Sequence, residues 1–204
     1  MKNLTILTLD TPNITDFAKA HNDLLKTVKT DWVLFLDSDE VISPALQAEI
    51  EQAIKSSAFK AYSIPRLDSF LGRELMHGEA GHTRLVRLAR RNWGQWVRPV
   101  HEKWTGSGPI GILHNPILHT PHDSISSFLT KIDHYSSLDA QYRYTQKQYS
   151  SLLKIWLYPL AKFKLNYFLR LGFLDGIPGL IHAIMMSFHS YLTHAKLYLL
   201  WHKK

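Results

Sequence analysis

Three acidic residues follow a short apolar run near the start of the chain. The run has five residues and begins at Trp32, and it is followed directly by Asp37, Ser38, Asp39 and Glu40. Two carboxylates in an Asp-x-Asp spacing can converge on one hard divalent cation, which in turn can hold a diphosphate. The pattern indicates a nucleotide-sugar site in which Asp37 and Asp39 hold the metal. The alternative interpretation is a polar turn that caps the following helix.

The apolar run is the element that positions these carboxylates. Five consecutive large apolar residues are too few for a helix and fit a strand buried on both faces, as in a parallel sheet. In such sheets ligands bind beyond the carboxyl ends of the strands, which is where Asp37 and Asp39 lie. The predicted order is a strand at 4–9, a helix at 15–28, the buried strand, a helix that begins with Ser43-Pro44, and a strand at 60–65. This order is typical of an α/β fold.

The rest of the chain divides into a loop-rich segment and a helical segment. Between residues 66 and 122 seven glycines separate short strand-like pieces, and loop-rich segments of this kind often carry function on a rigid scaffold. Residues 124–142 have helical periodicity, and two apolar helices follow, interrupted by Pro159 and by a turn at 172–179. We predict an α/β domain at 1–122 and a helical C-terminal region at 123–204.

Composition restricts the classes of protein that fit this chain. It has 204 residues, a net charge of +7 and no cysteine, which excludes disulfides, cysteine nucleophiles and cysteine metal sites. It has no Gly-x-Ser-x-Gly elbow, P-loop or dinucleotide-type glycine motif, which argues against the common hydrolases, NTPases and dehydrogenases. The N-terminus alternates apolar and polar residues and lacks the continuous apolar core of a signal peptide, so we expect a cytoplasmic location.

Twelve histidines raise the question of a zinc site. His101 and Glu102 begin a His-Glu-x-x-His pattern, but Thr105 stands in place of the second histidine, which excludes that metalloprotease motif. The other candidate is a set of three histidines in a proline-containing loop: His114, His119 and His122. Scattered structural or surface histidines are the favoured interpretation.

Basic and aromatic residues alternate in the C-terminal region. From Gln141 onward the only acidic residue is Asp175, against nine lysines and arginines. This composition suits an anionic membrane surface; a nucleic-acid partner is not expected, because the region is apolar and no nucleic-acid motif occurs. The last helix, from about Pro178, has polar residues on one side and apolar residues on the other, which predicts an amphipathic helix in the membrane interface. A membrane span and a buried core helix are the alternatives.

Several separate sequence blocks occur in a characteristic order. They are residues 17–22, 31–40, 72–73 with 77–78, 84–88, 100–102, and 172–176 with 178–179. In this combination the chain resembles bacterial family-2 glycosyltransferases, specifically the lipopolysaccharide core β-1,4-glucosyltransferase-like group. The resemblance implies a truncated GT-A fold, which is Rossmann-like with a mostly parallel sheet, and an amphipathic, membrane-associated helical tail. It also implies an inverting enzyme that moves a hexose from a nucleotide-sugar donor to a lipid-linked saccharide acceptor at the cytoplasmic face of the bacterial inner membrane.

The same resemblance implies a role for each candidate site residue. Asp37 and Asp39 hold Mg²⁺ or Mn²⁺ and, through it, the donor diphosphate. Glu102 takes the proton of the acceptor hydroxyl as general base, and His101 orients it. Three arginines pair with phosphates of the donor or acceptor: Arg73, Arg84 and Arg87. The alternative for the arginines is a solvated outer face of a strand.

The chain departs from the resemblance at its N-terminus. Only 16 residues precede the block that begins at Phe17, where family members carry a strand, a helix and a second strand that read the nucleotide. We therefore expect about the first third of the nucleotide-binding half to be missing, and a partner chain to be one way of supplying those strands. The alternative function is a non-catalytic, membrane-bound remnant or subunit of a split glycosyltransferase.

Overall fold

The computed structural model describes residues 3–9, 14–122 and 124–203, and it confirms the predicted α/β class. Its contacts divide the chain into two units, Met1–Leu67 with Thr83–Thr120 and Asp68–His82 with Pro121–Lys204. The chain passes from one unit to the other three times, the last time between Thr120 and Pro121. The segment at 68–82, which the sequence placed in the first region, groups with the C-terminal helices.

Ten strands and five α-helices make up the described chain. In chain order they are β1 (Leu4–Leu9), α1 (Phe17–Thr27), β2 (Trp32–Asp37), β3 (Glu40–Ile42), α2 (Pro44–Ala53), β4 (Ala61–Phe70), β5 (Arg73–Leu75), β6 (Arg84–Arg90), β7 (Gly94–Val97), β8 (Lys103–Gly106), β9 (Ile110–Ile112), β10 (Ile117–His122), α3 (Ile125–Thr145), α4 (Leu152–Phe163) and α5 (Gly176–His202). Short 3-10 helices lie at Ala80–His82 and Gly172–Asp175, and a π-helical segment at Lys164–Leu169 continues α4.

Strand β2 lies inside a sheet of mixed direction. It pairs in parallel with β1, from Leu4 opposite Trp32 to Leu9 opposite Asp37, and antiparallel with β6 on its other side. The strand order is β1-β2-β6-β4-β10-β3, and β5 and β9 also pair with β4. Strands β7 and β8 form a separate antiparallel ribbon. The buried strand therefore has the predicted parallel neighbour on one side only.

Side chains of β2 alternate between two cores, as a period of two requires. One core contains Trp32, Leu34 and Leu36 together with residues of α2. The other contains Val33 and Phe35 with residues of α1 and three tryptophans from the β7–β8 region. Burial of each large apolar side chain contributes about 1.5–3 kcal/mol, so β2 is held firmly up to the residue before Asp37.

The two helices of the first unit begin at residues that cap them. The Asp16 side chain accepts a hydrogen bond from the Lys19 backbone N–H at 2.9 Å, and α1 follows. The Ser43 hydroxyl accepts from the Leu46 N–H at 3.1 Å, and Pro44 is the first residue of α2, as the sequence predicts. Each cap satisfies a backbone donor that would otherwise have no partner in the first helical turn.

The second unit is a helical bundle in which α5 packs against both α3 and α4. The ammonium group of Lys196 on α5 donates to the Asp133 carboxylate at 2.7 Å and to the Ser136 hydroxyl at 2.8 Å, both on α3. Thr193 and His194 of α5 are also buried. The polar side of α5 is thus largely used in packing within the unit, and its predicted position in a membrane interface is not confirmed.

No single helix among the described residues is long and apolar enough to cross a membrane. One bent pair of helices reaches the length and apolar composition of a membrane span when the two are taken together. The pair is Leu152–Leu169 with Gly172–His202, and the helix axes are bent by 71° at the break between them.

One buried histidine of the first unit makes stability depend on pH. His21 of α1 is fully buried and stacks on Trp96 with ring centroids 4.2 Å apart. Burial, reinforced by the nearby Arg87 guanidinium, lowers the pKa of His21 from 6.5 to about 4. The unfolded chain therefore binds this proton more tightly than the folded chain does, so stability falls as pH drops from 6.5 towards 4.

We expect the change His21→Phe, which keeps a ring against Trp96, to remove this part of the acid sensitivity. The loss attributable to His21 is on the order of 3 kcal/mol over that window, at about 1.4 kcal/mol per pKa unit. Urea unfolding at pH 7 and at pH 4.5 measures it. The control is His114→Phe at an exposed position, which should lose stability with acid as the parent does. An equal acid loss in parent and His21→Phe would contradict the assignment.

Candidate functional site

Asp37 is the last residue of β2, and an arginine from the neighbouring strand holds its carboxylate. The Arg87 guanidinium on β6 donates from Nη2 to Asp37 Oδ2 at 2.6 Å. The Asp37 backbone N–H donates to Glu40 Oε2 at 3.0 Å, which closes the turn after the strand. About a third of the Asp37 side chain is exposed. The carboxylate is therefore oriented by Arg87 while part of it still faces solvent.

Glu40 is the buried carboxylate of this turn. Its side chain is inaccessible to solvent, and Oε1 lies 3.7 Å from Arg66 Nη1 and 3.9 Å from Arg87 Nη2. Burial raises the pKa of Glu40, the positive charge of Arg87 opposes that rise, and the negative charge of Asp37 adds to it. Arg87 thus lies within 4 Å of two carboxylates that would otherwise repel each other.

The guanidinium of Arg87 is buried on an aromatic platform. Its Cζ lies 5.5 Å from the centroid of the Trp96 ring, an arrangement that stabilises a cation through the ring quadrupole. His21 stacks on the same ring, and its lowered pKa keeps it neutral beside the arginine. Among the described residues, Nε and Nη1 of Arg87 have no hydrogen-bond acceptor. The interpretation of Arg87 as part of a solvated outer face is therefore wrong.

Asp39 lies beside a histidine for which the sequence predicted no role at this turn. The Asp39 Oδ1 atom lies 3.4 Å from Nε2 of His119, a largely buried residue of β10. The Thr120 backbone N–H donates to the Asp39 carbonyl at 3.1 Å. Pairing of β10 with β3, which starts at Glu40, places His119 beside the acidic turn. Asp39 and His119 are far apart in the sequence, which indicated His119 only as one of three histidines in a proline-containing loop and gave no signal for this contact.

Glu102 shares the electrostatic environment of this acidic turn. Burial raises its pKa above the usual range; its own backbone N–H and the Arg87 charge oppose the rise, and Asp37 and Glu40 add to it. Its neighbour His101 is exposed and has a left-handed backbone, with φ of 50°. The predicted roles of Glu102 as base and His101 as orienting residue stay predictions, but Glu102 interacts with the groups that surround Arg87.

The other two predicted arginines donate to backbone carbonyls. Arg84 Nη2 donates to Leu113 O at 2.7 Å and to Ser63 O at 3.1 Å, so it links strand β4 to the segment after β9. Arg73 belongs to the second unit, where its Nη2 donates to Leu174 O at 3.1 Å. Their phosphate contacts remain predictions, and their present contacts are structural.

Two of the candidate histidines have contacts other than with each other. His119 contacts Asp39, whereas His122 stacks on Phe128 of α3 with centroids 3.8 Å apart. Among the described residues, no group of three or more histidines, aspartates or glutamates is arranged to hold a metal. Mg²⁺ is commonly bound by one or two carboxylates, with waters and substrate phosphates as the other ligands. The partly exposed carboxylates of Asp37 and Asp39 have the chemistry for such a site.

Comparison with known proteins gives relatives of one kind. An uncharacterized glycosyltransferase of Rickettsia typhi is 27% identical over 180 residues, which are 82% of this chain and 62% of the relative. One of Rickettsia prowazekii has the same identity and coverage. The lipopolysaccharide core biosynthesis glycosyltransferase LpsC of Rhizobium meliloti is 25% identical over 183 residues, 85% of this chain and 66% of the relative. The chain is thus similar to proteins that are named glycosyltransferases.

The match covers only part of the length of these relatives. The chain spans 62% of the length of the two rickettsial glycosyltransferases. No model of a known protein family matches the chain. These similarities therefore support a glycosyltransferase in general and do not specify family 2.

The site geometry predicts that Arg87 is required for stability. In Arg87→Met the carboxylates of Asp37 and Glu40 lose their shared cation, and breaking a buried ion pair from one side costs about 3–5 kcal/mol. Because Asp37 is partly exposed, we expect a loss of stability at the lower end of that range. The control is Lys19→Met on α1, which removes an exposed pair with Asp23 and should cost little stability. Urea unfolding of both variants at pH 7 checks this, and equal losses would contradict it.

Proposed function

We propose that this chain is a family-2, GT-A-type glycosyltransferase that moves a hexose from a nucleotide-sugar donor to a lipopolysaccharide-core-like glycolipid. The observation that carries the proposal is the acidic turn at the end of β2, where Asp37 and Asp39 are oriented by Arg87 and His119. The names of the relatives support the same reaction class. The inverting course and the dependence on Mg²⁺ or Mn²⁺ are parts of the proposal.

Asp37 and Asp39 would hold the cation and, through it, the donor diphosphate. A bound Mg²⁺ or Mn²⁺ supplies positive charge that stabilises the departing diphosphate. Arg87 keeps the Asp37 carboxylate in place and neutralises part of the turn before a donor binds. Its Nε and Nη1 groups, which have no acceptor among the described residues, are suited to a phosphate oxygen if the side chain turns.

Glu102 would act as the general base of an inverting displacement. The acceptor hydroxyl oxygen forms a bond to the anomeric carbon while its proton passes to the Glu102 carboxylate. The bond from the anomeric carbon to the diphosphate oxygen breaks, and the diphosphate leaves with the electron pair. A carboxylate whose pKa is raised by burial is a stronger base than an exposed one, which suits this role.

The proposal includes attachment to the cytoplasmic face of the bacterial inner membrane as a peripheral protein. A lipid-linked acceptor is presented at a membrane surface, so an enzyme that acts on its sugar must work close to the headgroups. The chain from Gln141 onward, where Asp175 is the only acidic residue, is compatible with an anionic surface.

We expect Glu102→Gln to lower kcat by about a hundredfold or more with little change in the KM for donor, the usual range for removal of a positioned base. In the parent, kcat/KM should fall on the acid side at a pH above the usual range of a glutamate, because burial raises the pKa of Glu102. Initial rates across pH, with purified protein, membrane extract as acceptor and Mn²⁺, test both statements. Glu51→Gln, at a partly exposed position on α2, is the control. Normal turnover in Glu102→Gln would move the base to another residue.

The metal role of the aspartates has a readout that does not require turnover. The double variant Asp37→Asn with Asp39→Asn should lose Mn²⁺-dependent binding of nucleoside diphosphate, because both oxygen ligands lose their charge. Isothermal titration with and without Mn²⁺ measures this, and Asp23→Asn, in an exposed pair with Lys19, is the control. If the double variant binds as the parent does, the metal assignment is wrong. If the parent neither binds donor nor transfers sugar, the non-catalytic alternative is favoured.

A further inference from the structure

Helix α4 presents an apolar face to solvent. Leu153, Trp156, Leu157 and Leu160 are spaced i, i+3, i+4 and i+7, so they form one stripe, and each is more than half exposed. Leu153 is 67% and Trp156 68% exposed. The opposite side of the helix supplies the buried Ile155. We call this stripe the α4 face. An exposed apolar stripe of this size indicates a surface that contacts a membrane or a protein partner.

The apolar exposure continues beyond α4 in the chain. In the π-helical segment Phe168 is 54% and Leu169 76% exposed. After the 3-10 turn, Ile177 at the start of α5 is 73% exposed. These residues and the α4 face belong to one continuous stretch of the second unit, from 152 to 177. Single exposed apolar side chains are ordinary on protein surfaces, but a run of this length is not.

The charges of this stretch are positive. Between residues 148 and 174 there is no aspartate or glutamate, while Lys154, Lys162, Lys164 and Arg170 are present. Lys162 is paired with Glu79 at 2.7 Å, which leaves three cations that form no ion pair with any carboxylate among the described residues. Lysine is depleted in the centres of protein–protein interfaces but common beside the apolar face of helices that lie on membranes. The combination favours anionic lipid over a protein partner.

We propose that the α4 face and the segment up to Ile177 insert into the headgroup–acyl boundary of an anionic bilayer, with α4 lying in the membrane plane. The 71° bend after the π-helical segment argues against a straight crossing. The rest of helix α5, after Ile177, packs on α3 and α4 within the second unit, and its Lys196 is hydrogen-bonded to α3. This proposal rests on the proposed function in one respect: the purpose of membrane binding would be to bring the protein to a lipid-linked acceptor.

Vesicle binding by the full chain tests this inference without donor or acceptor. Co-sedimentation with vesicles of phosphatidylcholine and phosphatidylglycerol at 70:30 should be strong, and it should fall with added salt and on pure phosphatidylcholine. Trp156→Glu and Leu160→Glu should each lower the partition coefficient at least tenfold. The matched control is Leu199→Glu, a residue 58% exposed on α5, which should change it less than twofold. Lys154→Glu with Lys164→Glu should weaken binding to the anionic vesicles only.

The insertion depth of Trp156 in the bilayer and the self-association of the chain are two further, independent tests of the proposal. Brominated lipid should quench a part of the tryptophan fluorescence that is absent in Trp156→Phe. Binding that survives Trp156→Glu and Leu160→Glu but is lost in Leu199→Glu would overturn the proposal in favour of α5. Full-length protein that ignores anionic vesicles but forms a dimer that Leu153→Glu dissociates would identify the α4 face as a protein interface. Either result leaves the Glu102 and Asp37 experiments unaffected, so failure of this proposal is separable from failure of the proposed function.

Discussion

The first unit depends on one buried guanidinium. Arg87 lies within 4 Å of the carboxylates of Asp37 and Glu40, in a region where Glu102 adds a further negative charge. Burial alone would push Glu40 and Glu102 towards their neutral forms, because a charge in a low dielectric is costly without a partner. The arginine allows several carboxylates to be gathered at the end of one strand. A site for a cation and a diphosphate requires that gathering.

The aromatic core under Arg87 is organised around the same charge. Trp96 offers its ring face to the guanidinium, and His21 stacks on that ring while burial keeps it neutral. A protonated histidine at this place would add a second buried cation beside Arg87. Phe35 of β2 meets both rings edge-on, at 5.0 Å from His21 and 5.1 Å from Trp96. The strand that ends in Asp37 and the platform that carries its partner are therefore packed into one core.

The sequence predicted the elements of this arrangement better than their contacts. The apolar run before Asp37 and the Ser43-Pro44 helix start have local causes, namely double-sided burial and N-capping, and both are present. The Asp37–Arg87 and Asp39–His119 pairs join residues 50 and 80 positions apart in number, and no local pattern specifies which distant strand lies alongside. The sequence also did not predict that the α4 face points to solvent, because an amphipathic pattern does not tell whether the apolar side of a helix packs on protein or contacts a membrane.

The sequence blocks that suggested a glycosyltransferase also differ in what they do in the structure. Asp175, the acidic residue of the 172–176 block, accepts from the backbone N–H groups of Met76 and His77 and from His77 Nδ1. A Cβ atom on Gly179 would lie 2.2 Å from the Gly172 carbonyl oxygen, so that turn can close only on glycine. These residues join the segment at 68–82 to the turn before α5, so the fold of the second unit requires them. The chemistry of the proposed reaction is concentrated in the block around Asp37 and at Glu102, since those are the carboxylates whose environment Arg87 controls.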